Sequence, residues 1–354
     1  MTKRKIADAL LWCVMAGLLV IGAINAGAIK AYSPVSLRYD APISGQDAYR
    51  AREYSIRHSG ENVFWPTFWH ETEANYSNEY RNIKAFCILY SGDAALVRPL
   101  KYMSGTTPGS TDGTGCAVSS ALAWELWGSF DVVGKTVGVG SEDRLVLGVF
   151  DEKELLALVS VGDEDKDQSF TAVELAGGLP SPARADAESY AVAAGLGKPD
   201  SILLGTPATL AAILTAAPLL ILGVYGLALC AGRIKKHPAA LKGAIFFAAF
   251  IGFAMLLPSL LGIFPDRIIP TRWSDFSFWG ALTRQTGENL KEYLAQKPYL
   301  RDVEYKILLL KQICITFISV ICAVAICFRW GRGLAGFVRE MPASPPLSQT
   351  KAAS

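Results

Sequence analysis

The sequence predicts an α-helical membrane protein that carries one large α+β domain outside the bilayer. Four apolar segments support this prediction, at residues 6–29, 207–231, 241–264 and 307–328. Each is long enough to cross a hydrocarbon core of about 30 Å as a helix of roughly 20 residues. Residues 31–206 have mixed polarity and are numerous enough for a folded domain. The predicted fold class is therefore four transmembrane helices with an α+β extracytoplasmic domain inserted between helices 1 and 2.

Basic residues at the ends of the apolar segments predict their orientation. They form three clusters, which are Lys3, Arg4 and Lys5 before the first segment, Arg233, Lys235 and Lys236 between the second and third, and Arg329, Arg332 and Arg339 after the fourth. Four crossings place all three clusters on one side, and the positive-inside rule makes that side cytoplasmic. We therefore expect a multi-pass protein of the plasma membrane with cytoplasmic N- and C-termini.

This orientation divides the chain into segments that alternate between the two sides. The expected segments are 1–30 for the cytoplasmic N-terminus and first span, 31–206 for the outer domain, 207–231 for the second span, 232–240 for a short cytoplasmic loop, 241–264 for the third span, 265–306 for an outer loop, 307–328 for the fourth span and 329–354 for a cytoplasmic tail. The first segment has a second interpretation, a cleaved signal peptide, because Ala26, Gly27 and Ala28 suit small-residue cleavage. Its apolar run is longer than a typical signal core, which favours a retained anchor.

The composition of the chain narrows its function. Hydrophobic residues make up 51% of the 354 residues and the formal net charge is only +2, so no nucleic-acid partner is expected. The lipid bilayer is the expected partner of the apolar segments. Of the seven cysteines, only Cys87 and Cys116 fall in the outer domain, where the redox compartment allows a disulfide between them. The sequence leaves open whether they pair.

Local patterns predict several elements of the outer domain. Strands are expected at 84–91, 136–139, 145–150 and 170–175. Ser119 or Ser120 is a suitable N-cap for a helix over 121–127, and Gly128 can end that helix in a left-handed conformation. The alanine-rich run 183–194 predicts another helix.

Aromatic residues are concentrated near the start of the outer domain. The group consists of Phe64, Trp65, Phe68, Trp69, Tyr76 and Tyr80. Such a group suits a domain core, a belt at the membrane interface or a docking face, and the sequence leaves these three interpretations open.

Residues 116–137 (CAVSSALAWELWGSFDVVGKTV) and 144–150 (RLVLGVF) resemble the periplasmic core domain of MacB-type ABC permeases. That family has a serine-started helix ending near an aromatic residue and a glycine, then a PVGK-type turn, a strand and a hairpin. Val132 stands where the family usually has proline. One span, a large outer domain and three further spans is also the layout of MacB/FtsX-like permeases. The resemblance implies a permease-type subunit of a mechanotransmission system, working with a separate cytoplasmic ABC ATPase and with a second permease or a copy of itself.

The predicted cytoplasmic loop 232–240 departs from the family pattern. In the family this connection carries a coupling helix that contacts the ATPase, whereas here it is short and contains Pro238. Arg233, Lys235 and Lys236 are the residues of this chain that would face an ATPase. An extracytoplasmic sensor or scaffold on the same fold, without an ATPase, is therefore the alternative function.

One acidic segment comes close to a metal-binding motif. Asp163, Asp165, Asp167 and Glu174 match the EF-hand carboxylates at loop positions 1, 3, 5 and 12, but Gln168 stands at the glycine position. These four residues are weak candidates for a metal site, and a solvated acidic turn is the alternative. No catalytic residue and no cofactor is predicted, so the chain is not expected to be an enzyme.

Overall fold

The computed structural model describes residues 3–32, 35–59, 63–109, 113–162, 165–178, 184–234, 247, 276–295 and 299–339. The chain divides into two compact units. The membrane-helix unit comprises Met1–Ala23, Leu214–Leu261 and Gln312–Ser354, and the sheet unit comprises Ile24–Ile213 and Gly262–Lys311.

The described residues form eight helices and ten strands. The helices are α1 Lys3–Lys30, α2 Gly45–Arg57, α3 Ala94–Val97, α4 Ser120–Trp127, α5 Arg184–Ala193, α6 Thr206–Ile234, α7 Phe276–Ala295 and α8 Leu300–Arg339. The strands are β1 Val35–Ser44, β2 Phe64–Ser77, β3 Asn82–Ser91, β4 Tyr102–Gly105, β5 Gly115–Ser119, β6 Thr136–Val139, β7 Glu142–Phe150, β8 Leu156–Ser160, β9 Ser169–Gly177 and β10 Ser201–Leu204.

All of these strands belong to one sheet in the order β10-β1-β9-β2-β3-β8-β5-β7-β4, with β6 pairing to both β2 and β7. Neighbouring strands are antiparallel except for β3 with β8 and β5 with β7, which are parallel. Helices and a largely antiparallel sheet in one unit make an α+β domain, as the sequence predicts.

The hairpin of β2 and β3 runs without a break from the pair Phe68 and Ser91 to the pair Ser77 and Asn82. Asn78 fixes the turn that follows β2. Its Oδ1 accepts hydrogen bonds from the backbone N–H groups of Tyr80 at 2.9 Å and Arg81 at 2.7 Å. An asparagine side chain that bonds the backbone two residues on stabilises such a turn locally.

The capped helix that the sequence predicts is present as α4. Ser119 Oγ accepts a hydrogen bond from the N–H of Leu122 at 3.1 Å, which satisfies one free donor of the first turn. The same oxygen accepts from the N–H of Leu156 at 3.2 Å and so ties the cap to β8. Gly128 ends the helix with φ of 67°, in the left-handed region.

The aromatic group divides into four buried and two exposed members. Phe64, Phe68, Trp69 and Tyr76 are buried in the sheet unit, so for them the core interpretation is correct. Trp65 and Tyr80 are 46% and 87% exposed. Successive side chains on a strand point to opposite faces, which separates Trp65 from its neighbour Phe64.

Within the described part of the chain, three helices are long and apolar enough to cross a bilayer, over Ile6–Lys30, Pro207–Gly226 and Leu300–Trp330. They correspond to the first, second and fourth spans that the sequence predicts. Of the predicted third span, 241–264, only residue 247 lies within the described part of the chain.

Polar contacts join two helices inside the membrane-helix unit. Gln312 Nε2 on α8 donates to Thr215 Oγ1 on α6 at 2.9 Å, and Thr316 Oγ1 donates to the Leu214 carbonyl at 3.2 Å. Hydrogen bonds between spanning helices contribute roughly 0.6 kcal/mol each. In this unit α6 and α8 are therefore held by directional contacts as well as by packing.

The structure corrects the disulfide hypothesis. Cys87 lies on β3 and Cys116 on β5, both are free thiols, and β8 runs between their strands. Two inter-strand spacings separate Cα atoms by about 10 Å, beyond the roughly 7 Å limit for a disulfide. Both side chains instead pack in the core beside Val118 and Tyr76.

We expect the two thiols to resist alkylation while the protein is folded. Burial raises the pKa of Cys87 to about 11 and that of Cys116 to about 12, and only a thiolate reacts readily. Iodoacetamide at pH 8 followed by peptide mass spectrometry should leave both unmodified until the protein is unfolded. Tyr80→Cys, at an exposed position, is the matched control and should react at once. A peptide linking Cys87 to Cys116 under non-reducing conditions would contradict this expectation.

Candidate functional site

Four charged side chains meet in the interior of the sheet unit and define what we call the ion cluster: Arg38, Glu174, Arg301 and Asp302. Arg38 lies on β1 and Glu174 on β9, while Arg301 and Asp302 lie in the first turn of α8. Their side chains are 5% exposed or less. Buried charges are stable only when paired and hydrogen-bonded, and the four formal charges here sum to zero.

The strong pairs of the ion cluster both connect the sheet to the helix. Arg38 Nη2 lies 3.0 Å from Asp302 Oδ1 and 3.3 Å from Oδ2. Arg301 Nη1 lies 2.7 Å from Glu174 Oε1. Charge-assisted hydrogen bonds are about twice as strong as neutral ones. The first turn of α8 is thus attached to two neighbouring strands by crossed ion pairs.

The same four residues also make two longer contacts between opposite charges. Arg38 Nη1 is 3.8 Å from Glu174 Oε1, and Arg301 Nη1 is 3.9 Å from Asp302 Oδ1. These pairs would join sheet to sheet and helix to helix. The four residues can therefore pair in two ways, and the two short pairs in the structure are the ones that join the helix to the sheet.

One carboxylate oxygen of Glu174 accepts several hydrogen bonds, and the other accepts none from the described residues. Oε1 accepts hydrogen bonds from Ser36 Oγ at 2.7 Å and Trp69 Nε1 at 2.9 Å in addition to Arg301. Oε2 has no hydrogen-bond partner among the described residues, and the same holds for Nε of Arg38 and of Arg301. The cluster therefore keeps unused hydrogen-bonding capacity on both of its signs of charge.

Aromatic rings cover the two arginines. The guanidinium of Arg38 lies 4.8 Å from the ring centre of Trp69 and 5.1 Å from that of Tyr299. The guanidinium of Arg301 lies 5.4 Å from the ring centre of Tyr32, two residues after the end of α1. Such cation–π contacts contribute roughly 0.5–2 kcal/mol each and exclude water from the cluster.

A carboxylate on β2 accepts a hydrogen bond from the first backbone N–H of α8. Both carboxylate oxygens of Glu71 accept from the Leu300 backbone N–H, at 2.8 and 3.1 Å. A negative group at a helix N-terminus satisfies a free donor and interacts favourably with the helix dipole. Burial nevertheless raises the pKa of Glu71 above its ordinary value, and the Leu300 N–H opposes that rise.

Arg98 makes a third attachment beside the cluster. Its guanidinium, 3% exposed, pairs with Glu152 at 2.5 Å and with Glu304 of α8 at 3.0 Å. Three tyrosines pack nearby, with ring centres 4.7 Å apart for Tyr32 and Tyr305 and 5.7 Å apart for Tyr293 and Tyr305. The beginning of α8 is therefore anchored on several sides within the sheet unit.

The metal-site hypothesis for the acidic segment is wrong for Glu174. This side chain is fully buried and already accepts from Ser36, Trp69 and Arg301. Asp165 and Asp167 are exposed in the loop before β9, and position 163 lies outside the described residues. No group of three or more metal-ligating side chains occurs within the described part of the chain.

The residues expected to face an ATPase lie at the limit of what the structure describes. Arg233 lies in the last turn of α6, and positions 235 and 236 fall outside the described ranges. Their role remains a prediction from the sequence.

The ion cluster was not predicted, although its members leave a trace in the sequence. Arg38 and Glu174 interrupt apolar strands directly after Leu37 and Val173. Arg301 and Asp302 stand side by side just before the apolar run of the last span. Charges inside strands that are otherwise buried require partners, and the pair of opposite charges at the start of the span is where such partners were to be found.

Comparisons with known proteins find similarity in solved structures only. No protein-family model and no curated protein matches the chain. The chain is similar to the extracellular domain of the noncanonic ABC-type transporter YknZ from Gram-positive bacteria, with a TM-score of 0.40, 13% identity and coverage of 49% of this chain and 98% of that one. It is also similar to the periplasmic region of MacB from Actinobacillus actinomycetemcomitans, with a TM-score of 0.39, 11% identity and coverage of 48% and 87%.

Both structures are extracytoplasmic domains of transporters, the kind of domain that residues 116–150 resemble in sequence. Both TM-scores lie below 0.5, so the function of this chain has to be argued from its own residues.

We expect Glu71 to weaken the folded protein as pH rises. Because its pKa is raised on folding, the folded state binds more protons than the unfolded state above pH 4.5, and stability falls until the folded pKa is passed. Glu71→Gln keeps an acceptor for the Leu300 N–H and cannot ionise. The thermal midpoint of this variant should therefore rise relative to that of the wild type as the pH increases from 4.5 to 7. Glu73→Gln, at a half-exposed position of the same strand, should show no such change in thermal midpoint relative to the wild type. A thermal midpoint of the wild type that rises relative to that of Glu71→Gln with increasing pH would contradict the expectation.

Proposed function

We propose that this chain is the permease-type membrane subunit of a MacB/FtsX-like ABC system and that it transmits movement of its spanning helices to its outer domain. The observation that carries the proposal is the ion cluster, which attaches the first turn of α8 to β1 and β9. From that turn α8 continues as one helix to Arg339 and includes the candidate span Leu300–Trp330. Displacement of the span then acts on the sheet through these paired charges.

The two pairing schemes explain how such an attachment can change state. Removing one partner of a buried ion pair costs about 3–5 kcal/mol, because the remaining charge is left uncompensated. In this cluster the helix turn can leave the sheet while Arg38 takes Glu174 and Arg301 takes Asp302. Every charge then keeps a partner, which avoids the cost of an uncompensated buried charge. A coupling element needs two discrete arrangements of this kind.

The layout of the chain supports the same function. The basic clusters favour a multi-pass protein of the plasma membrane with both termini in the cytoplasm. Residues 116–150 resemble the MacB-type core domain. On this proposal a separate cytoplasmic ABC ATPase supplies the energy, a second permease or a second copy completes the assembly, and Arg233, Lys235 and Lys236 face the ATPase. The chain itself then needs no catalytic residue.

Purification of the tagged chain from its native membrane tests the proposed assembly. Mass spectrometry should identify an ABC ATPase with the wild type and lose it with the triple variant Arg233→Gln, Lys235→Gln, Lys236→Gln. The matched control, Arg50→Gln with Arg57→Gln on exposed positions of α2, should retain the ATPase. Recovery of extracytoplasmic partners alone would contradict the proposal and favour a sensor or scaffold.

A charge exchange tests the role of the two pairing schemes. Arg38→Glu or Asp302→Arg alone should destabilise the purified chain by about 3–5 kcal/mol. The double variant keeps an opposite-charge pair between positions 38 and 302 and should recover part of that stability. Recovery is incomplete because the exchanged side chains also stand 3.8 Å from Glu174 and 3.9 Å from Arg301 as like charges. Its alternative scheme sets like charges against Glu174 and against Arg301. In the complex with the ATPase, ATP should therefore speed hydrogen exchange at residues 299–305 in the wild type and leave the double variant unchanged.

Exchanging an exposed pair provides the control for this experiment. Glu53→Arg with Arg57→Glu reverses the ion pair on the surface of α2 and should leave both stability and the response to ATP as in the wild type. A double variant of the ion cluster that responds to ATP like the wild type would overturn the exchange of partners. A double variant as unstable as the single ones would show that positions 38 and 302 do not form the stabilising pair.

A further inference from the structure

A cleft of about 540 Å³ opens on the sheet unit where β2 ends, away from the part of β2 that contacts the ion cluster. Nine residues line it. Glu79 and Tyr80 come from the turn after β2, Trp127 from the end of α4, Lys135 from the residue before β6 and Asp143 from β7. Volumes of about 300–1,000 Å³ are typical of sites for small ligands.

The walls of the cleft are fixed by contacts between its elements. Asn78 Nδ2 donates to the Leu126 carbonyl at 2.7 Å, and the guanidinium of Arg81 donates to the Glu125 carbonyl, so the turn after β2 is held against α4. Gly138 on β6 lies so close to β2 that an added Cβ would stand 2.5 Å from Ser77 Oγ. The cleft is therefore formed before any ligand arrives.

The lining has an unusual chemistry for a surface cleft. Its only apolar rings are those of Tyr80, which is 87% exposed, and Trp127, which is partly buried. None of the nine lining residues is Ala, Val, Leu, Ile, Met or Pro. Glu79, Lys135 and Asp143 form no ion pair with any described residue, so two carboxylates and one ammonium group are free to bond a ligand.

We propose that this cleft binds an oligosaccharide. A pyranose ring presents a flat C–H face, which stacks on an exposed aromatic ring, and an edge of hydroxyl groups, which bond carboxylates and ammonium groups. A lipid tail or an apolar peptide side chain needs an aliphatic lining, which this cleft lacks. The excess of carboxylates favours neutral or amino-bearing sugars over acidic ones. The inference depends on the cleft alone and holds with or without coupling to an ATPase.

Binding is best measured by calorimetry on the full chain in lipid nanodiscs, because maltoside detergents are themselves sugars. Three probes of one length cover the chemistry: the β-1,4-linked hexamers of glucose, of N-acetylglucosamine and of glucosamine. At least one should bind saturably. Tyr80→Ala should weaken that binding by about three- to tenfold, the weight of one aromatic contact. Asp143→Asn should weaken binding of the glucosamine hexamer more than binding of the two neutral hexamers.

The controls separate a specific site from weak adsorption. Tyr49→Ala removes a tyrosine of α2 that is 39% exposed and lies outside the cleft, so it should leave binding unchanged. Tyr80 is exposed enough that its removal should not alter the thermal midpoint. No saturable binding of any hexamer up to about 10 mM, or equal binding by wild type and Tyr80→Ala, would overturn the proposal. Binding of an apolar hexapeptide in preference to every sugar would overturn it as well.

Discussion

The buried carboxylate of Glu174 is the constraint on which the arrangement of the outer domain depends. An ionised carboxylate loses several kcal/mol on leaving water unless donors replace the solvent. β9 alone cannot supply them, so the sheet is stable in this form only when Ser36 of β1, Trp69 of β2 and Arg301 of α8 converge on it. This one carboxylate thereby joins its own strand to both neighbouring strands and to Arg301, which follows 127 residues later in the chain.

The other attachments restrict how α8 can leave that position. Glu71 holds the first free N–H of the helix, and Arg98 bridges to Glu304 one turn further on. The contact of Glu71 is lost as soon as the helix moves along its axis, because it bonds one backbone group. The ion cluster is different, since long guanidinium groups can follow a moving partner or exchange it. A small displacement therefore breaks the backbone contact first and leaves the charges paired.

Sequence reasoning succeeded where the physics is local. A serine cap at 119 or 120, the left-handed Gly128 and the strand Thr136–Val139 follow from a few neighbouring residues. All three are present, and Ser119 is the cap. It failed where partners are distant. Cys87 and Cys116 share a core without pairing because β8 lies between their strands, and strand order is not readable from spacing. Glu174 matched a metal motif by spacing, yet its partners come from β1, β2 and α8, and no local pattern contains them.

β2 runs from the ion cluster to the cleft, so any mechanical connection between the two sites has to involve this strand. Trp69 and Glu71 contact the α8 region, and Ser77 reaches the cleft, roughly 20 Å further along at 3.3 Å per residue. Between these points β2 is bonded to β3 in unbroken register. Such a strand moves as a unit, because changing its register would turn every side chain to the other face. The contacts to the start of α8 and the lining of the cleft therefore lie on one strand whose register is fixed. On the proposed function, a displacement of α8 that keeps its ion pairs would move the sheet and the cleft together.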